Sequence, residues 1–405
     1  MAVLKRDMTM EQQLARGPMD LPFLMLVLLL TGIGVIMVFS ASFAVAFYDS
    51  SQAINHNPTY YFFRQGIFAV GGIAIMYVVS KINYQTFRWM SVFVLGVALV
   101  LLVAVLIPGI HTERSDNVRR WIRSIGPIPA FQPSEIAKVG VIMYFSARLS
   151  KRNTEKPIRL SPRSPWSGLV GVLDRIGFLE LIPYGAILLV ILFLMKLEPH
   201  MSGTILILAG AAAVMFAAGI KLYWFLLGGV GMVGLLALSM QGYQSMRILV
   251  WKDPWAYPQD GGYQIIQSLY AIGSGGLLGL GLGKSRQKFL YLPEPENDFI
   301  FAIVCEELGY IGAGIVILLF ALLIIRGYWI AVHARDRFGA LLVVGITTLL
   351  AVQVFLNISV VTNLLPTTGI SLPFFSYGGT ALMIQLAEMG MVLSVSRQIP
   401  APKQE

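Results

Sequence analysis

LPFLMLVLLLTGIGVIMVFSASFAVAF, residues Leu21 to Phe47, decides the fold of this chain because it runs for 27 residues without a charged side chain. A helix of about 20 apolar residues is enough to cross the hydrocarbon layer of a bilayer, which is ~30 Å thick. The block is longer than the apolar core of a signal peptide, and no small-residue cleavage site directly follows it. It therefore predicts a retained membrane span.

Nine further apolar blocks follow the first one along the chain. They lie at Tyr60–Ser80, Phe87–Ile107, Ser134–Ser150, Leu181–Met195, Met201–Gly219, Leu222–Met240, Asp298–Ile325, Phe338–Val361 and Phe375–Val395. None shows the alternating pattern of a membrane barrel, and only helices satisfy the backbone of such blocks inside a bilayer. The sequence therefore predicts an all-α integral membrane protein with ten transmembrane helices.

The positions of Lys and Arg predict that both termini are cytoplasmic, since this orientation places more than half of the basic residues inside. The apolar segment Tyr263–Gly283 contains six glycines, and counting it as a span would put the basic loop 326–337 outside. We therefore treat it as an interfacial or re-entrant element of a large external loop, residues 241–297. The expected organisation is a cytoplasmic tail at 1–20, one membrane domain at 21–396 and a second cytoplasmic tail at 397–405.

The composition excludes several classes of protein. Charged residues make up 13% of the chain and hydrophobic residues 56%, whereas soluble domains carry about 25% charge. The single cysteine excludes an internal disulfide framework. No phosphate-binding P-loop and no His-Glu-x-x-His pair occurs, and the four histidines are scattered, so the sequence predicts no metal centre.

Two external loops carry positive charge on the side of the membrane where basic residues are disfavoured. One precedes the fourth span and includes Arg120; the other precedes the eighth span and includes Lys284, Arg286 and Lys288. An anionic partner at the outer interface would explain both loops. The alternative is that these are solvated charges, some of them paired with acidic residues of the same loops.

Carboxylates at the ends of spans are the candidates for chemistry. Asp298 opens the eighth span, where it is either an ordinary helix cap or a functional group. Glu306 and Glu307 lie deeper in that span, where a charge is costly and either bonds between helices or faces a cavity. Glu135 and Lys138 share one face of the fourth span, as an ion pair or as a site that positions a phosphate or sugar.

The connection between the last two spans, Asn363–Gly379, fits no regular helix because it contains Pro366, Gly369 and Pro373 among other breakers. It is apolar and free of charge, which predicts a loop that dips toward the bilayer while buried in protein. Its glycines allow either close approach of the backbone to a ligand or a packed structural turn.

These segments resemble the SEDS family of FtsW, RodA and SpoVE proteins, and the resemblance covers nearly the whole chain. The matching stretches are Arg120-Trp121-Ile122, Gln132-Pro133-Ser134-Glu135, Gly281–Glu294, Asp298–Ala302 with Glu306–Gly309, and Pro366–Phe374. The residues around 285–288 and 291–294 are similar to the FtsW and SpoVE branch rather than to RodA. The chain departs from the family pattern at Glu198–Thr204, Asn297 and Thr380.

The resemblance implies a peptidoglycan glycosyltransferase that polymerises lipid II at the outer face of the membrane. It implies that Asp298 is the essential catalytic carboxylate, acting as the general base of an inverting transfer. The implied substrate-binding residues are Glu135 and Lys138 at the central cavity and Arg64 at the outer edge of the second span. The candidate cations for the pyrophosphate are Lys138, Arg120, Lys284, Arg286 and Lys288. The sequence requires no cofactor, and a divalent cation, Mg²⁺ or Mn²⁺, is possible.

Two other functions stay open at this point. A transporter that flips lipid II would suit many spans with intramembrane carboxylates, although the two halves show no obvious inverted repeat. A scaffold without catalysis would only recruit a transpeptidase. The family implies lipid II, membrane lipids, a class B penicillin-binding transpeptidase and division proteins as partners, and no nucleic acid. It also implies a multi-pass protein of the bacterial cell membrane at the division septum, in vegetative division or in spore wall synthesis.

Overall fold

The computed structural model describes residues 17–51, 54–112, 119–124, 129–152, 177–198, 200–229 and 243–399. Within these ranges the named elements are helices, and their bounds are α1 Leu21–Tyr48, α2 Tyr60–Lys81, α3 Tyr84–Ala104, α4 Pro133–Leu149, α5 Phe178–Leu197, α6 Met201–Ala217, α7 Tyr243–Lys252, α8 Tyr263–Gly275, α9 Ile300–Val332, α10 Arg337–Val361 and α11 Gly379–Ser396. A short 3₁₀ turn and a π turn connect α7 to α8.

Seven of these helices are long and apolar enough to cross a membrane: α1, α2, α3, α5, α9, α10 and α11. The predicted all-helical, multi-pass class is therefore confirmed. Helix α6 is apolar but has 17 residues, and α4 also has 17 residues and carries charges in its first turns. Residues 222–229 are helical, while the rest of the predicted seventh span, 230–240, lies outside the described residues. Most of both predicted tails and residues 153–175 of the basic loop also lie outside the described residues.

Small residues allow the helices to approach closely where they pack. A Cβ on Gly72 of α2 would lie 2.5 Å from Leu386 of α11, and one on Gly390 would lie 2.7 Å from the carbonyl oxygen of Met76. Close backbone approach at small residues is a common source of helix association in a bilayer, where apolar burial against lipid contributes little. The pairing of α2 with α11 fixes one wall of the site described below.

Helix α9 is interrupted at Gly309, whose φ of 68° and ψ of −174° are not helical. The break frees the carbonyl oxygens of Glu306 and Glu307, which accept hydrogen bonds from the backbone N–H groups of Leu280 (2.9 Å) and Gly281 (3.0 Å). Glycine suits position 309 because a positive φ is costly for residues with a Cβ. The sequence predicts a continuous span here, and the structure instead has a short first helical segment, before Gly309, that docks on the segment following α8.

The loop between α10 and α11 folds into the helix bundle, as its composition predicted. A side chain of α10 fixes the loop backbone, since the amide of Gln353 donates a 3.2 Å hydrogen bond to the carbonyl oxygen of Ser371. Phe374 stacks on Phe320 of α9 and its carbonyl lies against Gly34, in the middle of α1. The last helix therefore begins at Gly379 rather than at the predicted Phe375, because the apolar residues before it pack as a buried loop.

Candidate active site

A cavity of about 470 Å³ lies between the start of α2, the segment before α4, the segment before α9 and the loop before α11. Its lining is polar and aromatic. Four of the eight predicted site residues line it: Arg64, Arg120, Glu135 and Asp298. A concave site with a few polar groups is the usual form of a small-ligand pocket, so this cavity is the candidate site.

Asp298 lines the cavity one turn before α9, and it is half-buried. It does not cap the helix, because the N-cap position is Phe299 and no side chain bonds the first turn. Its main-chain carbonyl accepts a 2.8 Å hydrogen bond from Asn357 of α10, and the same amide donates to the carbonyl oxygen of Ile370 at 2.7 Å. The carboxylate is thus held by its backbone, while its side chain faces the cavity beside Gly369.

The pKa of Asp298 is raised to about 6, first by burial and then by the negative charge of Glu294, against the opposing effect of Arg120 and Arg247. A carboxylate in this range is mostly ionised at neutral pH and is a stronger proton acceptor than an exposed aspartate. The arrangement suits a general base.

Arg120 is positioned by two isolated β-bridges that join His111 to Ile122 and Ile122 to Phe131. Burial raises the pKa of Glu198 to about 8 and lowers that of His200 to about 3, and the positive charge of Arg120 acts on both as it does on Asp298. Arg120 therefore lies within electrostatic range of the cavity carboxylate and of a buried polar pair that follows α5.

Glu135 and Lys138 form the ion pair that their spacing predicted, with 2.8 Å between Nζ and Oε2. Glu135 lines the cavity, whereas Lys138 is 2% exposed and lies behind it. Arg64 is exposed, and its guanidinium donates a 2.6 Å hydrogen bond to the hydroxyl of Tyr60. Lys138 can thus act on a ligand only through Glu135, while Arg64 and Glu135 can contact one directly.

The basic loop before α9 lies apart from the cavity. Lys284 and Arg286 are exposed and are not among the residues that line it. The predicted role of Lys288 as a cation for the pyrophosphate does not fit its surroundings. Its ammonium is buried and bonds Glu307 (3.0 Å), Ser40 (3.2 Å) and the carbonyl oxygen of Gly283 (2.7 Å). A cation held by a buried carboxylate is not available to a pyrophosphate.

Glu306 and Glu307 fasten the same loop to α9. The backbone N–H of Arg286 donates to Glu306 at 2.9 Å, and that of Ser285 donates to Glu307 at 3.2 Å. Of the two readings left open by the sequence, the contacts favour the structural one. These carboxylates hold the loop and do not face the cavity.

Three features of the site were not predicted as site residues. Arg247 of α7 donates to the carbonyl oxygen of Thr367 at 2.9 Å and lowers the pKa of Asp298. A Cβ on Gly369 would lie 3.3 Å from an oxygen of Asp298, so this glycine allows the loop to approach the carboxylate. His200 lines the cavity and contacts Gln132. The sequence signals these only weakly, because each depends on contacts between distant segments.

The chain matches the model of a family of cell cycle proteins that comprises FtsW, RodA and SpoVE, over residues 20–400. It is 41% identical over 383 residues to the stage V sporulation protein E of Bacillus subtilis, covering 93% of this chain and 97% of the relative. It is 39% identical over 390 residues to the probable peptidoglycan glycosyltransferase FtsW of Geobacter metallireducens, covering 94% and 95%. These relatives confirm the predicted branch.

Two solved structures share the fold. One is described as "Structural coordination of polymerization and crosslinking by a peptidoglycan synthase complex" and matches with a TM-score of 0.70 and 25% identity, over 96% of this chain and 99% of that one. The other is the rod shape determining protein RodA of Thermus thermophilus, with a TM-score of 0.62 and 24% identity over 95% and 98%. With a family match over nearly its whole length and these relatives, the chain belongs to the FtsW, RodA and SpoVE family of cell cycle proteins.

Proposed function

We propose that this protein is a peptidoglycan glycosyltransferase that joins lipid II units into glycan strands. The observation that carries the proposal is the half-buried carboxylate of Asp298, which lines a cavity with its pKa raised toward neutrality. Membership of the family and the names of the relatives support the same reaction. The exposed apolar faces of the helices support a multi-pass protein of the cell membrane.

The proposal includes the ten-helix topology, with both termini cytoplasmic and one membrane domain at residues 21–396. In that orientation the outer ends of α1, α10 and the start of α9 face the outside, so the cavity opens near the outer interface. Helix α8 has 13 residues and is too short to span, which supports an interfacial element within the external loop 241–297. The lipid tails of both substrates then stay in the bilayer while their sugars enter the cavity.

In the mechanism, the acceptor is the free 4-hydroxyl of the sugar of an incoming lipid II. Asp298 accepts the proton of that hydroxyl while the hydroxyl oxygen attacks the anomeric carbon of the growing lipid-linked chain. The bond to undecaprenyl pyrophosphate breaks, and the configuration inverts. The leaving group is already activated, so one base together with positive charge at the pyrophosphate is sufficient.

The charge for the pyrophosphate comes first from Arg120, which lines the cavity and lies in electrostatic range of Asp298. Arg64 is the second cation of the lining, and Lys284 and Arg286 remain candidates for a more distant contact. Among the described residues no three His, Cys, Asp or Glu side chains converge as metal ligands. The proposal requires no divalent cation, although Mg²⁺ or Mn²⁺ could assist at the pyrophosphate. Chelation by EDTA tests whether polymerisation needs one.

We also propose a class B penicillin-binding transpeptidase and division proteins as partners, with the division septum or the spore wall as the place of action. The solved relative is a synthase complex that couples polymerisation to crosslinking, which supports a transpeptidase partner. Purification of the full chain with a candidate transpeptidase, and localisation of a fluorescent fusion, test these two points.

The test of function is Asp298→Asn in the purified protein with its transpeptidase. Polymerisation of lipid II should fall by at least a hundredfold, since general base catalysis contributes about 10²–10⁴ in rate. Asp253→Asn is the matched control, because Asp253 caps a turn in the same external loop away from the cavity. Wild-type rates from Asp298→Asn would refute the base assignment. Polymer formation in detergent also distinguishes an enzyme from a flippase, which needs two sides, and from a scaffold.

A further inference from the structure

One of the four carboxyl groups that line the cavity, that of Glu296, takes no part in the mechanism above. Glu296 is 6% exposed, and its oxygen Oε2 is buried without a hydrogen-bond partner in the structure. Its fixed contact is through the main chain, where its carbonyl oxygen accepts a 2.8 Å bond from the N–H of Tyr377. A buried polar atom without a partner lowers the stability of a folded protein by about 1–3 kcal/mol, so the Glu296 side chain does not contribute to stability through this oxygen.

Glu296 lies two residues before Asp298 and lines the same cavity. The negative charge of Glu294 acts on both carboxyl groups, and Glu296 in turn acts electrostatically on Tyr61. Burial raises the pKa of Glu296 to about 7, so it is available as a hydrogen-bond acceptor and, when protonated, as a donor.

Two tyrosines complete this part of the cavity. The rings of Tyr61 and Tyr377 lie 4.8 Å apart in an edge-to-face arrangement, and both line the cavity. These side chains offer a sugar two kinds of contact. An aromatic ring provides an apolar surface for the C–H face of the sugar, and a carboxyl group accepts hydrogen bonds from the hydroxyl or amide groups of the sugar. A phosphate is the less suitable ligand here, because an ionised carboxylate repels it.

We propose that Glu296, Tyr61 and Tyr377 form a saccharide subsite of the cavity, in addition to the proposed catalytic carboxylate and the cations proposed for the pyrophosphate. The inference rests on the proposed function for the identity of the sugar, which belongs to lipid II or to the growing glycan strand. The unpaired oxygen of Glu296 bonds a hydroxyl or N-acetyl N–H of that sugar, and the tyrosine pair packs against its ring.

The test replaces Glu296 by Leu and by Gln in the full chain. Both variants keep the main-chain bond to Tyr377, so the melting temperature should stay the same or rise as the unpaired carboxyl is removed. The KM for lipid II should rise roughly tenfold in Glu296→Leu and less in Glu296→Gln, which keeps an acceptor, while kcat stays within about twofold. Asp298→Asn should show the opposite pattern, with kcat lost and KM retained.

Direct binding keeps the subsite separable from the proposed reaction. Wild-type protein should bind lipid II more tightly than undecaprenyl pyrophosphate, which lacks the sugars, and Glu296→Leu should lose that preference. If the wild type binds in this way but does not polymerise, the proposed function fails and the subsite stands. An unchanged KM, an equal loss of affinity for both ligands, or a lowered melting temperature with unchanged affinity would each overturn the subsite.

Product length distinguishes the two possible sources of the sugar. Shorter strands from Glu296→Leu would assign the subsite to the growing chain, since a weaker hold on that chain lowers processivity. A raised KM with unchanged strand length would assign it to the incoming lipid II.

Discussion

Replacing Glu294 by Gln removes the negative charge that helps to raise the pKa of Asp298, and it should move the acid limb of the pH–rate profile to lower pH. Glu294 lines the cavity and is exposed, so water screens its effect on the carboxylate. The pKa of Asp298 is raised from 3.8 to about 6, first by burial and then by Glu294. Removal of the Glu294 charge should therefore lower the pKa of Asp298 by only a part of this shift, because burial remains.

The size of that part follows from Coulomb's law. Two like charges about 8 Å apart in an effective dielectric of about 40 repel by about 1 kcal/mol, which is about 0.8 of a pKa unit. A base with a pKa near 6 is roughly one-tenth ionised at pH 5, and lowering its pKa by half a unit to one unit raises this to roughly a quarter to a half. Glu294→Gln should thus polymerise lipid II about two to five times faster than the wild type at pH 5.

The assay is kcat/KM for lipid II polymerisation measured from pH 4.5 to 8.5 at fixed ionic strength. Above pH 7.5 the two proteins should agree, because Asp298 is ionised in both. Glu180→Gln is the control, since Glu180 is a partly exposed carboxylate that pairs with Arg152 at 2.6 Å, away from the cavity. An acid limb that stays in place, or that moves to higher pH, would refute the electrostatic account of Asp298.

Three further changes test other parts of the structure. Arg120→Gln should move the acid limb to higher pH and lower kcat at least tenfold, measured in the same assay, because this cation stabilises the ionised form of Asp298 and is proposed to face the leaving group. Gly369→Ala should lower kcat at least tenfold, whereas Gly261→Ala, which also has a positive φ but open space around it, should affect only stability by thermal unfolding. Lys288→Met should lower the free energy of unfolding by about 3–5 kcal/mol, as it leaves the buried charge of Glu307 unpaired, and a fluorescence melt measures this.

The helical framework could be predicted from hydropathy because lipid-facing helices need long apolar blocks. The first block was placed at Leu21–Phe47 and the helix spans Leu21–Tyr48. The start of the last helix was misplaced by four residues, since a buried loop and a span are equally apolar. The break at Gly309 was missed for a related reason, because a glycine within an apolar run does not reveal the segment that docks against it.

The site was predictable where it depends on short segments and not where it depends on distant contacts. Asp298 and Glu135 follow from their positions at helix starts together with the family motifs. Lys288 was misassigned because charge counting does not show that Glu307, 19 residues further on, neutralises it. The role of Arg247 depends on the folding of α7 against the loop before α11, which no local pattern indicates.

The side-chain amide of Asn357 links α10 to two separate backbone segments beside the cavity. Asn357 holds the backbone at Asp298 and the backbone at Ile370 with two short bonds from a single nitrogen. A movement of α10 is therefore expected to displace Asp298 and the loop that contains Gly369 together. We expect replacement of Asn357 to change the distance between these two residues while the helices stay in place.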